Sequence, residues 1–549
     1  MNLLSRYLKR VDFESYEDFV KNFEFKPVES FNFAYDVVDE YARIAPEKRA
    51  IVWCNHEGDE KIITFGELKK LTDKTANMLL GLGLKKGDFI MTMLNRRYEY
   101  YLLNIACCKL GVVLVPATFL LTVKDIEYRC NSADVKAIFC INEKEVTDYV
   151  KEAAPECKSL KYLFTIGDCE GFLDFHKELE KYSDDLPPQP RPALDDTMLV
   201  YFTSGTTGYP KMVMLNYKYP LGHVITAYYW QGVVDDGLHF TMAETGWAKF
   251  SWGKLYGQWL AGSAVFNYDY YGRFTPTDVI PLISKYKITT FCAPPTIYRF
   301  FIREDLSKYD FSSLVSITTA GEPLNPEVFR KFKEITGLEI REGFGQTESV
   351  AMLANSRYGT PTPGSLGLPM PIYDVALLDD EDNEITESDV EGEICIKIRN
   401  NQFGLLSGYY KDPERTHAAL HTPYYHTGDL AVRDKNGFYW FVGRKDDIIK
   451  SSGYRIGPFE VESALMEHPA VLECAITGAP HPERGQVVKA TIILNKGYTP
   501  SEELTKELQE HVKKVTAPYK YPRIIEYVDT LPKTISGKIK RKDIRGENK

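Results

Sequence analysis

Apolar and polar positions alternate along this chain in two distinct rhythms, and the rhythm changes partway through. In residues 63–94, ITFGELKKLTDKTANMLLGLGLKKGDFIMTML, apolar residues recur at helical spacing as far as Leu82. A Gly-Leu-Lys-Lys-Gly-Asp turn then leads into the β-rich run FIMTML. VKAIFCI (135–141) and KITTFCAPPTIYRFF (287–301) repeat the pattern. Helix–strand alternation at this spacing predicts α/β layers around largely parallel sheets. Beyond about residue 360 the runs YDVALLDDEDNEI, VEGEICIKI and GFYWFVGR read as short strands parted by acidic or Gly turns, which predicts a small β-rich subdomain. The charged, turn-like segment GRKDD (443–447) closes that region. After it FEVESALMEH, VLECAITGAP, VVKATIIL and ELTKELQEHVKKV restore a compact α+β pattern. The fold class expected is therefore α/β, with residues 1–445 as a large N-terminal domain and 446–549 as a small C-terminal domain.

Leu102 to Leu121 is the most membrane-like stretch, but Asn104, Lys109 and Pro116 interrupt it. A buried helix running into a buried strand fits it better than a span. The amino terminus lacks an apolar stretch long enough for a signal peptide, and its acidic residues argue against a transit peptide, so a cytoplasmic protein is expected. A formal charge of −10 argues against a general nucleic-acid binder, which needs a cationic face. The ten cysteines show no CxxC pair or zinc spacing and read as buried, reduced thiols. At 549 residues the chain is long enough for two to four lobes.

The densest chemical signal is TMLVYFTSGTTGYPKMVML (197–215), two β-rich runs joined by Thr203-Ser204-Gly205-Thr206-Thr207-Gly208-Tyr209-Pro210-Lys211. Two glycines, four hydroxyl residues and the Lys211 ammonium form a donor-rich loop suited to polyphosphate oxygens. It differs from a P-loop: Pro210 precedes the lysine, and Met212 stands where Ser or Thr would bind magnesium. A kinase-like ATPase is thereby disfavoured.

With AGEPL (320–324), EGFGQTES (342–349), YHTGDL (425–430), GRKDDIIKSSGYRIGPFEVE (443–462) and LPKTISGKIKR (531–541), the loop resembles the adenylate-forming superfamily of acyl-CoA synthetases, luciferases and peptide-synthetase adenylation domains. The motifs stand in that family's order from about residue 200 to the end, and the long C-terminal signatures resemble its medium-chain acyl-CoA synthetases. The resemblance implies two α/β sheet lobes plus the β-rich subdomain, followed by a mobile lid. It implies ATP, Mg²⁺ and coenzyme A as partners of a carboxylic acid, activated as an acyl adenylate and passed to the CoA thiol. ATP would be held by residues 203–208 and Lys211, by Gly321, Glu322 and Pro323, and by Glu342, Gly343, Phe344, Gly345, Gln346 and Thr347. Glu348 would hold Mg²⁺, which takes one or two carboxylates plus phosphate oxygens. Asp429 and Arg444 match the ribose contacts, Arg455 an α-phosphate contact, and Lys538 the lid lysine of adenylation. Two anions must approach one another in that step, and fixed cations lower its barrier. Asp446 matches the hinge. Ser452, Gly453, Tyr454, Arg484, Tyr521, Pro522 and Arg523 match CoA contacts, although Arg484 and Arg523 also read as ordinary surface arginines. Lys540, Arg541 and Lys542 read as a solvated basic run.

Gly345 stands where acetyl-specific relatives carry a tryptophan, so the acyl pocket is expected to be open there, with Trp247 and Trp252 as walls or as plain core aromatics. A short-to-medium, branched or aromatic acid follows. Lys249, Lys254 and Arg273 lie in the same region without a role. Two alternatives remain: a stand-alone adenylation enzyme loading a carrier protein, and a non-catalytic acyl or nucleotide sensor on the same fold. Oligomeric state is not legible.

Overall fold

The computed structural model describes residues 1–203, 210–272, 274–322, 324–400, 402–452, 454–533 and 539–546. Among these, the chain builds four sheets. The central strands of the parallel sheets, such as Phe89–Met93, Val113–Pro116, Ala264–Asp269 and Thr290–Ala293, are buried on both faces, as strands between helical layers must be. In one sheet, Arg49–Asn55, Ala264–Asp269, Leu238–Thr241, Thr290–Ala293, Ser316–Thr319 and Ile340–Phe344 run parallel in that spatial order, with short antiparallel strands at both edges. The second sheet centres on Phe89–Met93, parallel to Val113–Pro116 and Val135–Ile141. Parallel sheets predominate as the spacing predicts, but the lobes are not consecutive in sequence. The strands Arg49–Asn55 and Glu60–Thr64 belong to the lobe otherwise built after residue 237.

The stretch Leu102–Leu121 belongs to the wholly buried helix Glu99–Leu110 and the buried strand Val113–Pro116. Lys109 survives there because its ammonium lies 2.8 Å from Asp39 and 2.5 Å from Asp73, the pairing a buried charge requires. No helix among the described residues is long and apolar enough to cross a membrane. Nine of the ten cysteines are buried, and all are free thiols.

Asp374–Leu378, Glu391–Lys397, Tyr424–Arg433 and Tyr439–Arg444 form the antiparallel β-rich subdomain. Residues 445–448 then lead to Ile449–Ser451, the first strand of a separate sheet. The helices Pro458–Met466 and Glu502–Val515 complete this C-terminal unit, which has its own apolar core around Val461, Leu465, Ile476, Val488 and Leu508. Arg541 is not a solvated residue. Its guanidinium meets Glu462 at 2.7 and 2.8 Å, because that carboxylate is buried on Pro458–Met466 and needs a cation.

Candidate active site

The site begins at a hairpin. Thr197–Thr203 pairs antiparallel with Lys211–Asn216, and Thr203 lies opposite Lys211. The intervening loop therefore joins two strands, whereas a P-loop feeds a helix whose N-terminus grips phosphate. Any anion grip here must come from the loop and the side chains at its mouth. Ser204, Gly205, Thr206, Thr207 and Gly208 lie outside the described residues, as do Pro323, Gly453, Lys538 and Arg273. At the mouth, Thr203 Oγ1 is buried with no hydrogen-bond partner among the described residues. Lys211 Nζ donates to Glu348 Oε1 (3.2 Å) and to the Tyr409 hydroxyl (3.2 Å), which itself donates to Glu348 Oε1 at 3.0 Å. The hairpin exit and the GQTES segment, far apart in sequence, thus meet as a cation, a phenol and a buried carboxylate. Thr347 sits half-buried beside them.

Glu348 fits the divalent ion the motif implies. Lys211 and Tyr409 both engage the same oxygen of a lone buried carboxylate next to the phosphate hairpin, and Mg²⁺ is held by such single carboxylates with phosphate oxygens completing its shell.

A second polar group assembles on Tyr424–Arg433. Asp429 lies opposite Arg444 across the ladder, with Arg444 Nη1 at 3.4 Å from Asp429 Oδ1. Gln346 Nε2 donates to Asp429 Oδ2 (2.5 Å) and to the Thr427 carbonyl (2.9 Å), and the Tyr425 hydroxyl donates to Gln346 Oε1 at 2.6 Å. Arg444 Nε also lies 3.6 Å from the Asp446 carboxylate. Asp429 and Asp446 are therefore linked through the Arg444 guanidinium, and Gln346 joins them through its hydrogen bond to Asp429.

Arg455 stands elsewhere. Its guanidinium engages Glu391 (2.8 Å) and Asp380 (3.6 Å) on the β-rich subdomain, so this structure does not bring it to Asp429 or Lys211. The reason is charge: that edge also carries Glu393, and Lys445 is the other cation holding it.

Around the expected adenine contacts, Gly321 has φ +102°, a conformation in which glycine alone is unstrained. Lys249, unassigned from sequence, donates to the Ala320 carbonyl at 2.5 Å and so braces this turn. Glu322 is half-buried and meets Thr296 and Arg299 at 3.1 and 3.3 Å. Glu342 is buried, and burial pushes its carboxyl up to about 8 although Oε1 accepts from the Leu324 amide. Its Oε2 has no partner among the described residues. Phe344 is half-buried, its ring 6.5 Å from Phe441.

The open gate expected at Gly345 is not there. A Cβ at 345 would sit 2.4 Å from Cη2 of Trp252 and 2.6 Å from the Val350 carbonyl oxygen. A Cβ at Gly343 would meet Trp230 at 2.5 Å. Trp252 comes from the helix Ala248–Gly253 and is buried, packed edge-on against Trp230. The glycine does not leave space; it admits an indole supplied from another element. Trp247, at the start of that helix, is half-buried. Lys254 follows it, fully buried and donating to Asn267 Oδ1 at 3.0 Å; burial pulls its ammonium well below the usual lysine range. That environment suits a structural amine in the sheet lobe.

On the C-terminal unit, Ser452 and Arg484 touch: the Ser452 amide donates to the Arg484 carbonyl (3.0 Å), and Arg484 Nη1 donates to Ser452 Oγ (3.1 Å). Tyr454 is exposed and stacks on Tyr519 with centroids 4.2 Å apart. Arg523 lies over the Tyr521 ring at 4.6 Å, and the Pro522 carbonyl accepts from Gln509. These residues share the C-terminal unit, and their hydrogen bonds and stacks join them as three separate local groups.

Comparisons with known proteins fit this geometry. The AMP-binding enzyme family matches residues 38–410, and the AMP-binding enzyme C-terminal domain matches residues 460–538. The mitochondrial acyl-coenzyme A synthetase ACSM3 of Homo sapiens is 41% identical, over 97% of this chain and 92% of its own. The human mitochondrial acyl-coenzyme A synthetase ACSM5 is 42% identical over 94% and 91%. Among solved structures, an anthranilate CoA ligase in complex with anthranoyl-AMP superposes with a TM-score of 0.86 at 27% identity, covering 95% of this chain and 98% of that one. A benzoate CoA ligase from Burkholderia xenovorans LB400 gives 0.82 at 25% identity, covering 94% and 100%.

Proposed function

This chain belongs to the AMP-binding enzyme family as an AMP-forming acyl-CoA synthetase, and from that premise we propose how its residues divide the work and which acids it takes. The observation that carries the proposal is the meeting of Lys211, Tyr409 and Glu348 at the mouth of the hairpin. The ATP phosphates lie across residues 203–208, with Lys211 and Thr203 Oγ1 as donors to their oxygens. Mg²⁺, held by Glu348, supplies charge neutralisation of the phosphates when bound. Asp429 accepts from the ribose hydroxyls while Arg444 fixes its orientation. Oxygen of the substrate carboxylate attacks the α-phosphorus and pyrophosphate departs. Lys538 joins that step from the lid, since the approach of two anions needs a cation between them.

In the second half-reaction the CoA thiolate attacks the acyl carbonyl and AMP leaves, a step with little need of acid–base help. Asp446 is the pivot between the two lid postures, and its link to Arg444 is one that rotation would break. Ser452, Gly453, Tyr454, Arg484, Tyr521, Pro522 and Arg523 receive the CoA. Arg455 reaches the α-phosphate only when the lid frees it from Glu391.

The acid is compact: short, branched or aromatic, from the lower end of the short-to-medium range. Trp252 supports this, because its indole takes the room that an extended chain would need beside Gly345. A cytoplasmic location belongs to the same proposal. The test is an acid panel in ATP–pyrophosphate exchange, repeated with CoA. Exchange and CoA-dependent AMP release with compact acids are expected. Exchange without CoA turnover would point to a carrier-protein acceptor, and absence of both to a sensor.

A further inference from the structure

Away from the nucleotide groups, three side chains converge at the β-rich subdomain. One ligand atom each from Asp382, His421 and His426 lies within 4.8 Å of the other two. They come from separate segments: the turn after Asp374–Leu378, the loop after the helix Pro413–Ala419, and the strand Tyr424–Arg433.

The ring nitrogens are sorted in a telling way. His421 Nδ1 is 2.8 Å from the Ala418 carbonyl, which can only accept, so Nδ1 carries the proton and Nε2 keeps its lone pair. That Nε2 lies 3.5 Å from Asp382 Oδ2. His426 Nδ1 faces the Glu393 carboxylate at 3.5 Å and the Cys395 sulfur at 3.5 Å. Its Nε2 is buried with no hydrogen-bond partner among the described residues, in a side chain only 9% exposed. A buried ring nitrogen without a partner is uncommon in a folded protein, and here it lies beside two further metal-ligating side chains. A histidine whose Nδ1 is held by a carboxylate or carbonyl, leaving Nε2 outward, is the arrangement that second-shell groups impose on metal-binding imidazoles.

We propose that Asp382, His421 and His426 form a site for one divalent transition metal of the Zn²⁺ class. Two imidazoles and one carboxylate suit such an ion, with solvent completing the shell, whereas Mg²⁺ prefers oxygen donors alone. The two rings stack, centroids 4.1 Å apart and planes at 10°. His421 is the more exposed of the two, at 36% against 9%, and is the side chain that can shift to bring both nitrogens onto one ion. Glu393 ties the site to the rest of the enzyme. It accepts from the Gly428 amide (2.8 Å) and from Lys445 (3.1 Å), next to Asp429 and Asp446 respectively. An ion on His426 therefore braces the ribose-side strand and the start of the hinge without touching substrate.

The full chain, stripped with EDTA and dialysed, is titrated with Zn²⁺ alone against a chromophoric chelator. One Zn²⁺ per chain is expected, with affinity reduced about tenfold or more in His421→Asn and in Asp382→Asn. Zn²⁺ should raise the Tm of the wild type and not that of His421→Asn, a surface change that leaves the core intact. Millimolar Mg²⁺ should not compete. The proposal is overturned if the wild type binds no stoichiometric Zn²⁺, or if both variants bind it as the wild type does.

Discussion

Replacing Trp252 by alanine tests the acyl-site reading at its most specific point. The indole lies 2.4 Å from where a Cβ on Gly345 would be, and under the proposed acyl-site reading its removal should open that side to acyl carbons. Burying a methylene is worth about 0.8 kcal/mol. If three more methylenes enter the vacated space, transition-state binding improves by about 2.4 kcal/mol, or roughly 60-fold in kcat/KM. The assay is kcat/KM for straight-chain acids from butyrate to decanoate in wild type and Trp252→Ala, with the ratio of long to short acids as readout. Deleting a buried Trp also destabilises by about 3–5 kcal/mol. Thermal unfolding must therefore show that the variant is folded, and Trp252→Leu serves as a milder second variant. Gly345→Ala is the counterpart. Its Cβ would also meet the Val350 carbonyl oxygen at 2.6 Å, a backbone atom that cannot swing aside. It should depress activity with every acid, and Trp252→Ala should rescue it only in part. Parallel chain-length profiles for wild type and both Trp252 variants would refute Trp252 as the gate.

Four further outcomes follow from the same geometry. Lys211→Ala and Glu348→Gln each remove one half of a contacting pair, so their effects on kcat/KM should be strongly non-additive; simple multiplication in the double mutant would deny that they act as one unit. Glu342, lifted by burial from 4.5 to about 8, keeps its proton in the folded state. The stability of that neutral form is complete below pH 4.5 and is lost as pH rises towards 8, so wild type should lose up to roughly 5 kcal/mol relative to Glu342→Gln across that window, read as diverging Tm curves; parallel curves would contradict it. Lys538→Ala should abolish adenylation while sparing thioester formation from supplied acyl-AMP, and equal loss of both would end the two-role lid. Asp446→Pro should spare pyrophosphate exchange and slow the CoA step, an expectation undone by unchanged CoA turnover.

What was legible in the sequence was local. The composition of the Thr/Gly loop already implies phosphate binding, GQTES and HTGD are contiguous strings whose family resemblance implies cation and ribose chemistry, and the structure brings Lys211 to Glu348, Gln346 to Asp429 and Asp429 to Arg444. The helix–strand alternation was equally readable, because burial on both faces leaves long apolar runs. What escaped depends on contacts between distant segments. Nothing near Gly345 announces that Trp252 fills its missing side chain. Lys109 looked like an interruption because Asp39 and Asp73 lie on other helices. Arg541 sat in a basic run, but its partner Glu462 is a buried acid of a different helix. Arg455 kept its motif while its charge went to the acidic edge of the β-rich subdomain. His421 and His426 stand close in sequence, yet the third member, Asp382, arrives from a turn two strands earlier.

The most direct measurement follows oxygen. If the enzyme is given an acid labelled with ¹⁸O in its carboxylate, with ATP and CoA, attack on the α-phosphorus must leave one carboxylate oxygen on AMP when the thioester forms. The account predicts AMP carrying one ¹⁸O, together with pyrophosphate and acyl-CoA in equal amounts. Label appearing in orthophosphate with ADP would mean an acyl phosphate, and would contradict the adenylate chemistry on which the account rests.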